Sequence, residues 1–334
     1  MESSDQLIGE ATAFLAVIEQ VSKIAPLNKP VLIIGERGTG KELFAARLHF
    51  LSKRWDQTYQ KLNCAAISDS LLETELFGHE SGAFTGANKR HVGRFERSHA
   101  GSLFLDELAT TSMRVQEKLL RVIEYGEFER VGGTSTIQTD VRLIAATNED
   151  LPQLASNGKF RHDLLDRLAF DVITLPPLRH RKEDIPLLAE HFAIRMTKEL
   201  ERPYFAGFTK DCMESFLEYP WPGNIRELKN VVERNVYRHP EDEPINEVVF
   251  DPFESPFRPP HKNKPEATSP TADTSLLTMK ASFPLDFKTQ SQDFEISLIQ
   301  QALEEAQFNQ RKAADLLQVT YHQLRGYLKK YQLV

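Results

Sequence analysis

The period of the hydrophobic positions changes several times along the chain, and each change marks an element. Over residues 7–25 the apolar side chains Phe14, Leu15, Val17, Ile18, Val21 and Ile24 recur at helical spacing, and Pro26 and Pro30 end that helix. Val31-Leu32-Ile33-Ile34 is continuous and rich in β-branched residues, the pattern of a strand covered on both faces. A glycine-rich turn follows and opens a helix over about 41–51. Further strands are expected at 59–63, 102–105, 141–147 and 170–175, separated by helical stretches such as 113–125. Such alternation implies a largely parallel α/β sheet. Over about 178–239 the pattern turns wholly helical, most clearly at 185–200 and 225–237, so a small helical subdomain should follow the sheet.

Seven of the eighteen prolines (252, 256, 259, 260, 265, 270 and 284) then fall together amid Ser, Thr and Lys, the composition of a semi-extended linker. The remainder is helical again and long enough for three short helices. The expected organisation is an α/β unit over 1–175, a helical subdomain over 176–253, a flexible linker over 254–290 and a helical module over 291–334. Composition narrows the classes. The 334 residues are 40% hydrophobic and 27% charged, with mean hydropathy −0.41 and net charge −7, values of folded globular domains rather than disorder. No apolar run approaches the roughly 20 residues of a membrane helix and the start lacks a signal-peptide layout, so the expected address is cytoplasmic, without membrane insertion. Cys64 and Cys212 are far apart with no His or Cys at ligand spacing, which suits two core residues rather than a disulfide or zinc site.

Gly35-Glu36-Arg37-Gly38-Thr39-Gly40-Lys41 satisfies G-x-x-x-x-G-K between a predicted strand and a predicted helix. Glycines let backbone N–H groups converge on phosphate oxygens, the helix N-terminus adds positive potential, and Lys41 can reach β- and γ-phosphates. Glu42 stands where Ser or Thr usually contacts magnesium, so the metal must be held by water or another carboxylate. That carboxylate is available where the apolar run Leu103-Phe104-Leu105 meets Asp106 and Glu107, at a strand end, where ligands sit in open α/β sheets. Asp106 would orient hydrated Mg and Glu107 would polarise the water attacking the γ-phosphate. After Asn148 comes Glu149-Asp150 rather than N-K-x-D, so nothing selects guanine and ATP is the expected nucleotide.

With these motifs in place the sequence resembles the AAA+ ATPases, and more closely the bacterial enhancer-binding activators of sigma-54 RNA polymerase, over nearly its whole length. The most specific feature is Gly82-Ala83-Phe84-Thr85-Gly86-Ala87 after Glu75-Leu76-Phe77-Gly78-His79-Glu80, the loop that in this family touches sigma-54. Glycines at both ends suit a tight, movable loop with an aromatic at its tip, although a plain surface turn with Phe84 tucked inward fits the same spacing. The resemblance implies an AAA+ P-loop fold with a parallel sheet flanked by helices, a helical lid, and a C-terminal all-α helix-turn-helix of Fis type. It implies that Asn148 senses the γ-phosphate, that Asn63 restrains Glu107, and that Arg161 and Arg167 reach the neighbouring subunit's site as arginine fingers in a ring, expected to be a hexamer. It also makes Arg226, after Trp221-Pro222-Gly223-Asn224, the sensor arginine of the lid, and places adenine near Ile8 and Gly9. Read from spacing alone, Arg161 and Arg167 are a helix surface paired with Asp163 and Asp166, and Arg226 is a solvated helix residue.

The tail from Arg311 carries five basic residues (311, 312, 325, 329 and 330) against one acidic, Asp315, and small Ala313 and Ala314 permit close helix crossing, with a turn near Gln318 and Val319. It resembles the Fis-type helix-turn-helix of the same activators, apart from Gln318 where glycine is common. Arg311, Lys312, Thr320, Tyr321, His322, Arg325 and Lys329 are the candidate contacts to double-stranded enhancer DNA, and a solvated basic helix pair is the other reading. The ATPase begins within the first ten residues, which leaves no room for a receiver domain, so control is expected from elsewhere. That layout, with Thr320-Tyr321-His322-Gln323, resembles the phage-shock branch of the family, whose inhibitor in trans is of the phage shock protein A type. Trp55, an aromatic among polar neighbours, is the candidate inhibitor contact, or else a half-buried anchor. Two other classes stay open on the residues alone: a general AAA+ remodeller that does not act on sigma-54, and a DNA-binding repressor whose ATP site is only a sensor.

Overall fold

The apolar run at 31–34 becomes an inner strand of a five-stranded parallel sheet because both of its faces find a helical layer. The computed structural model describes residues 7–253, 257, 287–306 and 309–331, which fall into two compact units with their division near Arg258.

In the first unit the chain runs α1 (Thr12–Ile24), β1 (Val31–Ile34), α2 (Lys41–Phe50), β2 (Tyr59–Asn63), α3 (Asp69–Phe77), α4 (Arg94–Arg97), β3 (Ser102–Asp106), α5 (Met113–Tyr125), β4 (Glu127–Glu129), β5 (Thr136–Gln138), β6 (Arg142–Thr147), α6 (Leu151–Ser156), α7 (His162–Leu168) and β7 (Val172–Thr174). The sheet order is β2-β3-β6-β1-β7, all parallel. Successive strand residues point to opposite faces, which divides the core cleanly. Leu32, Leu103, Leu105, Leu143 and Ala145 pack against the layer that contains α3, α5 and α7. Val31, Ile33, Phe104, Ile144 and Ala146 face α1 and α2. Cys64 is buried in the first layer, and burial pushes its thiol up to about 12, so it is an inert core residue. The two-stranded ribbon β4–β5 has no counterpart in the expected elements. Its strands are three residues each, too short for an alternation to register, and Phe128 is its buried anchor.

The helical subdomain is α8 (Asp184–Glu199), α9 (Lys210–Glu218) and α10 (Asn224–Arg238), closed around Trp221, Phe216, Cys212 and Leu228. The second unit is α11 (Phe287–Glu305), α12 (Gln310–Leu316) and α13 (Tyr321–Lys330). Its core is Ile299, Ala302, Leu303, Ala313, Ala314, Leu324 and Leu328, with Ala313 and Ala314 fully covered where the helices cross. Gln318 sits in the turn at φ +54°, the left-handed region in which glycine is normally favoured. Most of the proline-rich stretch at 254–290 lies outside the described residues. Among those described, no helix is long and apolar enough to cross a membrane.

Candidate nucleotide site and interaction surfaces

The loop between β1 and α2 takes its shape from backbone freedom. Gly38 has φ +80° and Gly40, the residue capping α2, has φ +93°, both costly for a residue with a Cβ. A Cβ on Gly38 would lie 2.2 Å from the carbonyl oxygen of Gly223, so the loop and the head of α10 meet backbone to backbone. Thr39 Oγ1 donates to Glu36 O at 2.8 Å. Lys41 Nζ folds back onto the loop, donating to Gly35 O at 2.9 Å and Glu36 O at 3.3 Å. Burial holds its ammonium below the ordinary lysine range, opposed by the carboxylates of Asp106 and Glu107.

These groups line a cleft of about 430 Å³ whose walls carry Gly38, Gly40, Lys41, Glu42, Asp106 and Glu107 on one side and Arg195, Ile225, Arg226 and Lys229 of the helical subdomain on the other. Asp106 ends β3 and its Oδ1 accepts from Glu107 N at 3.0 Å. Glu107 takes a left-handed conformation, φ +53° and ψ 42°, which costs a non-glycine residue about 1–2 kcal/mol and turns the chain at the strand end. Arg37 Nε lies 3.9 Å from its carboxylate. Arg226 N donates to Gly38 O at 3.3 Å, so this exposed residue stands in the wall of the cleft. Glu42 does not join the acid pair. Its carboxylate accepts from Lys61 Nζ at 2.7 Å on the rim. Among the described residues no three carboxylates, imidazoles or thiols gather as a metal cage, whereas Mg²⁺ needs only one or two carboxylates plus phosphates and water. Asp106 and Glu107 fit that requirement.

Asn148 follows β6, and its Oδ1 is buried with no hydrogen-bond partner among the described residues, a cost that calls for a missing partner. Asn63 behaves otherwise. Its Oδ1 accepts from Ala65 N at 2.9 Å, capping a short 3₁₀ turn, and among the described residues no hydrogen bond joins it to Glu107, though the two strand ends are adjacent in register, Asn63 opposite Asp106. Ile8 lines a smaller apolar hollow of about 90 Å³, with Leu43, Phe44, Phe192 and Ile225 in its walls and Gly40 shared with the cleft, and Gly9 is the chain neighbour of Ile8 rather than part of the lining.

Arg161 and Arg167 are outside the cleft of their own chain. Arg161 pairs with Asp163 at 2.6 Å, and Arg167 pairs with Glu124 of α5 at 2.6 Å rather than with Asp166. The segment 82–87 forms a closed loop. Gly82 N donates to Ala87 O at 2.7 Å, Ala87 N donates to Phe84 O at 3.0 Å, and Gly82 and Gly86 have φ of +83° and +102° with open space around them. Phe84 is 46% exposed with its ring edge on His79, so it is not tucked inward. Ala87, expected among the contact residues, is buried and serves as the foot of the loop. Trp55 is 63% exposed, with Phe50 and Leu51 exposed beside it in sequence, which removes the anchor reading. In the tail, Arg311, Lys312, His322, Arg325 and Lys329 are exposed. Thr320 is committed to a capping box with Gln323 at the start of α13, and Tyr321 lies beneath the Arg311 guanidinium.

Two ion-pair clusters are absent from the sequence reading, in which Glu36 figures only as a member of the phosphate loop. Glu36 is clamped by Arg179, with contacts of 2.6 and 2.9 Å, and by Asn224 Nδ2 at 3.0 Å, which together hold its carboxyl down to about 2. Arg130 is buried and bonds Glu96 through two nitrogens and Glu80 at 2.6 Å, bracing the base of the 82–87 loop. Their partners are 143 or more residues apart for the Glu36 clamp, beyond any local pattern.

Comparison with known proteins agrees with this geometry. Residues 7–174 match the Sigma-54 interaction domain family, 179–267 the AAA+ ATPase lid domain and 292–331 the Fis family of bacterial regulatory proteins. The chain is 58% identical over 333 residues to the Psp operon transcriptional activator of Escherichia coli K12, covering 99% of both. It is 51% identical over 230 residues to the transcriptional regulatory protein ZraR of Salmonella typhimurium, 69% of this chain and 52% of that protein, so it spans about half of that longer relative. The crystal structure of NtrX from Brucella abortus in complex with ADP superposes with a TM-score of 0.69 at 30% identity, covering 99% of this chain and 71% of that one.

Proposed function

The chain belongs to the sigma-54-dependent AAA+ transcriptional activators, ATPases that carry a Fis-type helix-turn-helix, and from that premise we propose that it is a cytoplasmic activator of phage-shock genes working as a ring, a hexamer by family resemblance. The observation that carries the reading is the convergence of Lys41, Asp106, Glu107 and Arg226 on one cleft.

In this reading the triphosphate of ATP lies along Gly35–Lys41, where loop N–H groups and the N-terminus of α2 receive it. Lys41 exchanges its two carbonyl partners for β- and γ-phosphate oxygens, and the anionic charge returns its ammonium to full basicity. Magnesium, held by Asp106 through water together with the phosphates, would neutralise charge on the transferring group. Glu107 accepts the proton of the attacking water. Asn148 Nδ2 donates to the γ-phosphate while its Oδ1, which lacks a donor, accepts from the attacking water, and Asn63, one strand away, restrains Glu107 after giving up its cap on Ala65. Arg161 and Arg167 leave their surface carboxylates for the neighbouring subunit's nucleotide, where such a charge accelerates transfer by about 10³-fold or more. Adenine occupies the hollow beside Ile8 and Gly9.

The output is the loop carrying Phe84 and Thr85, which presses on sigma-54 in the closed polymerase complex. Gly82 and Gly86, with nothing packed against them, give it two movable ends. The tail holds enhancer DNA through Arg311, Lys312, Arg325 and Lys329 on phosphates, with Tyr321 and His322 toward base edges and Thr320 setting the start of the recognition helix. The exposed apolar group Phe50, Leu51 and Trp55 suits a trans-acting inhibitor of the phage shock protein A type.

In-vitro transcription from a sigma-54 promoter tests the reading. Open complexes should form with ATP and wild-type protein, and fail without nucleotide or with Glu107→Ala. Activation by Glu107→Ala at the wild-type level overturns the hydrolytic role, and a Thr85→Ala protein that keeps ATPase turnover and still activates transcription overturns the role of the loop.

A further inference from the structure

Behind the apolar end of the cleft lies a buried ion pair that the chemistry above does not use. Arg181 precedes α8 and Asp184 begins it; their side chains are 2% and 0% exposed, and Arg181 Nε donates to Asp184 Oδ2 at 2.7 Å. Both also grip the segment ahead of α1. Asp184 Oδ1 accepts from Glu10 N at 2.5 Å and Ala11 N at 2.8 Å, tying down Ala11, the N-cap residue of α1, and the one before it. Arg181 Nη2 donates to Ile8 O at 3.2 Å, and its guanidinium lies 4.0 Å over the Phe14 ring. Gly9 closes the cluster, since a Cβ there would stand 2.7 Å from Arg181 Nη2, Asp184 Oδ2 and Phe14 alike.

We propose that Arg181 and Asp184 are positioning residues for the nucleotide base, fixing the backbone of residues 8–11 against the helical subdomain as the edge that reads the purine. The inference rests on the reading that the base lies beside Ile8 and Gly9. Arg181 itself borders that hollow, together with Ile8 and Phe14. A buried pair adds little stability over an apolar pair of the same shape, while it fixes geometry wherever each remaining lone pair and proton is satisfied. Here the spare oxygen of Asp184 and Nη2, one of the two spare nitrogens of Arg181, both go to main-chain atoms of one short segment. That segment is therefore ordered before nucleotide arrives, and its ordering cost does not fall on binding. Because the pair belongs to the helical subdomain and the segment runs into α1, base affinity also depends on the angle between the two parts of the ATPase.

The test is titration of the full chain with fluorescent N-methylanthraniloyl ATP and GTP, alongside turnover kinetics, for Asp184→Asn and Arg181→Lys. The expected result is ATP affinity weakened about tenfold or more, a narrowed preference of ATP over GTP, and a loss that falls on KM for ATP more than on kcat. A folded variant with a lowered melting temperature but wild-type ATP affinity and base preference overturns the proposal, because a merely structural pair predicts that outcome. Should Asp184→Asn fail to fold, Arg181→Lys, which keeps the charge and loses the planar fork, decides by the same two readouts. Wild-type ATP binding by Lys41→Ala would instead sink the cleft reading on which the proposal stands, so the two failures are distinguishable.

Discussion

Replacing Gly38 with alanine separates two effects that usually arrive together. At φ +80° the added methyl strains the backbone by about 1–2 kcal/mol in every state of the protein, and this falls on folding stability. The second effect is confined to the closed arrangement of loop and lid. The new Cβ would sit 2.2 Å from Gly223 O and 3.1 Å from Arg226 Cβ, so the head of α10 must retreat by roughly 1 Å to restore van der Waals contact. Retreat breaks the Arg226 N to Gly38 O bond and stretches the Asn224 Nδ2 bonds to Glu36 and Arg37 O, both at 3.0 Å. At about 1 kcal/mol for each of two net hydrogen bonds, nucleotide affinity should fall about 30-fold. Gly158→Ala is the control. Its φ is +68° with nothing within 4 Å, so it should lose comparable stability and no affinity. Thermal unfolding and ATP titration read the two quantities separately. If Gly38→Ala binds ATP as tightly as Gly158→Ala does, the lid does not close on this loop in the way described.

Three further outcomes follow from the same geometry. Arg167→Ala should lower ATP turnover by about 10³-fold, and mixing it with Lys41→Ala should restore part of it, since one protein keeps the phosphate loop and the other the finger; full turnover by dilute Arg167→Ala would refute action in trans. Glu36, held at about 2 against an ordinary 4.5 by Arg179 and then Asn224, contributes stability that is present above pH 4.5 and lost as pH falls toward 2; acid unfolding of Glu36→Gln should lack that component, and superimposable acid profiles would show the clamp to be without effect. Trp55→Ala should raise the amount of a phage shock protein A type inhibitor needed for half-inhibition of the ATPase by about tenfold or more, and an unchanged inhibition curve places the inhibitor elsewhere.

The sheet was legible because its strands sit in a symmetric environment. With helices on both faces, β1 and the middles of β3 and β6 need apolar residues pointing both ways, and a run such as Val31-Leu32-Ile33-Ile34 states that without help from the rest of the chain. Strand order was not legible, because neighbours in a parallel sheet are decided by crossovers far apart in sequence. The β4–β5 ribbon escaped for a different reason. Glu127-Phe128-Glu129 and Thr136-Ile137-Gln138 alternate over only three residues, and their support comes from Phe128 packing on Phe77 and Phe95, a tertiary contact that overrides weak local preference.

The site divides along the same line. The phosphate loop reads as a complete motif because most of its chemistry is backbone geometry imposed by Gly38 and Gly40 and a lysine placed by the first turn of a helix, all within seven residues. The acid pair reads because a strand end positions it. The lid's grip on Glu36, Arg181 and Asp184 around residues 8–11, and the brace of Arg130 on Glu80 and Glu96 all join distant segments, and in each the residue type is ordinary until its partner is known. Arg161 and Arg167 go one step further. Within one chain they make ordinary surface ion pairs, of the kind worth about 0–1 kcal/mol, and the proposed action in trans needs that weakness: a finger bound tightly to its own carboxylate could not cross to a neighbour's phosphate without a cost that the transition state would have to overcome.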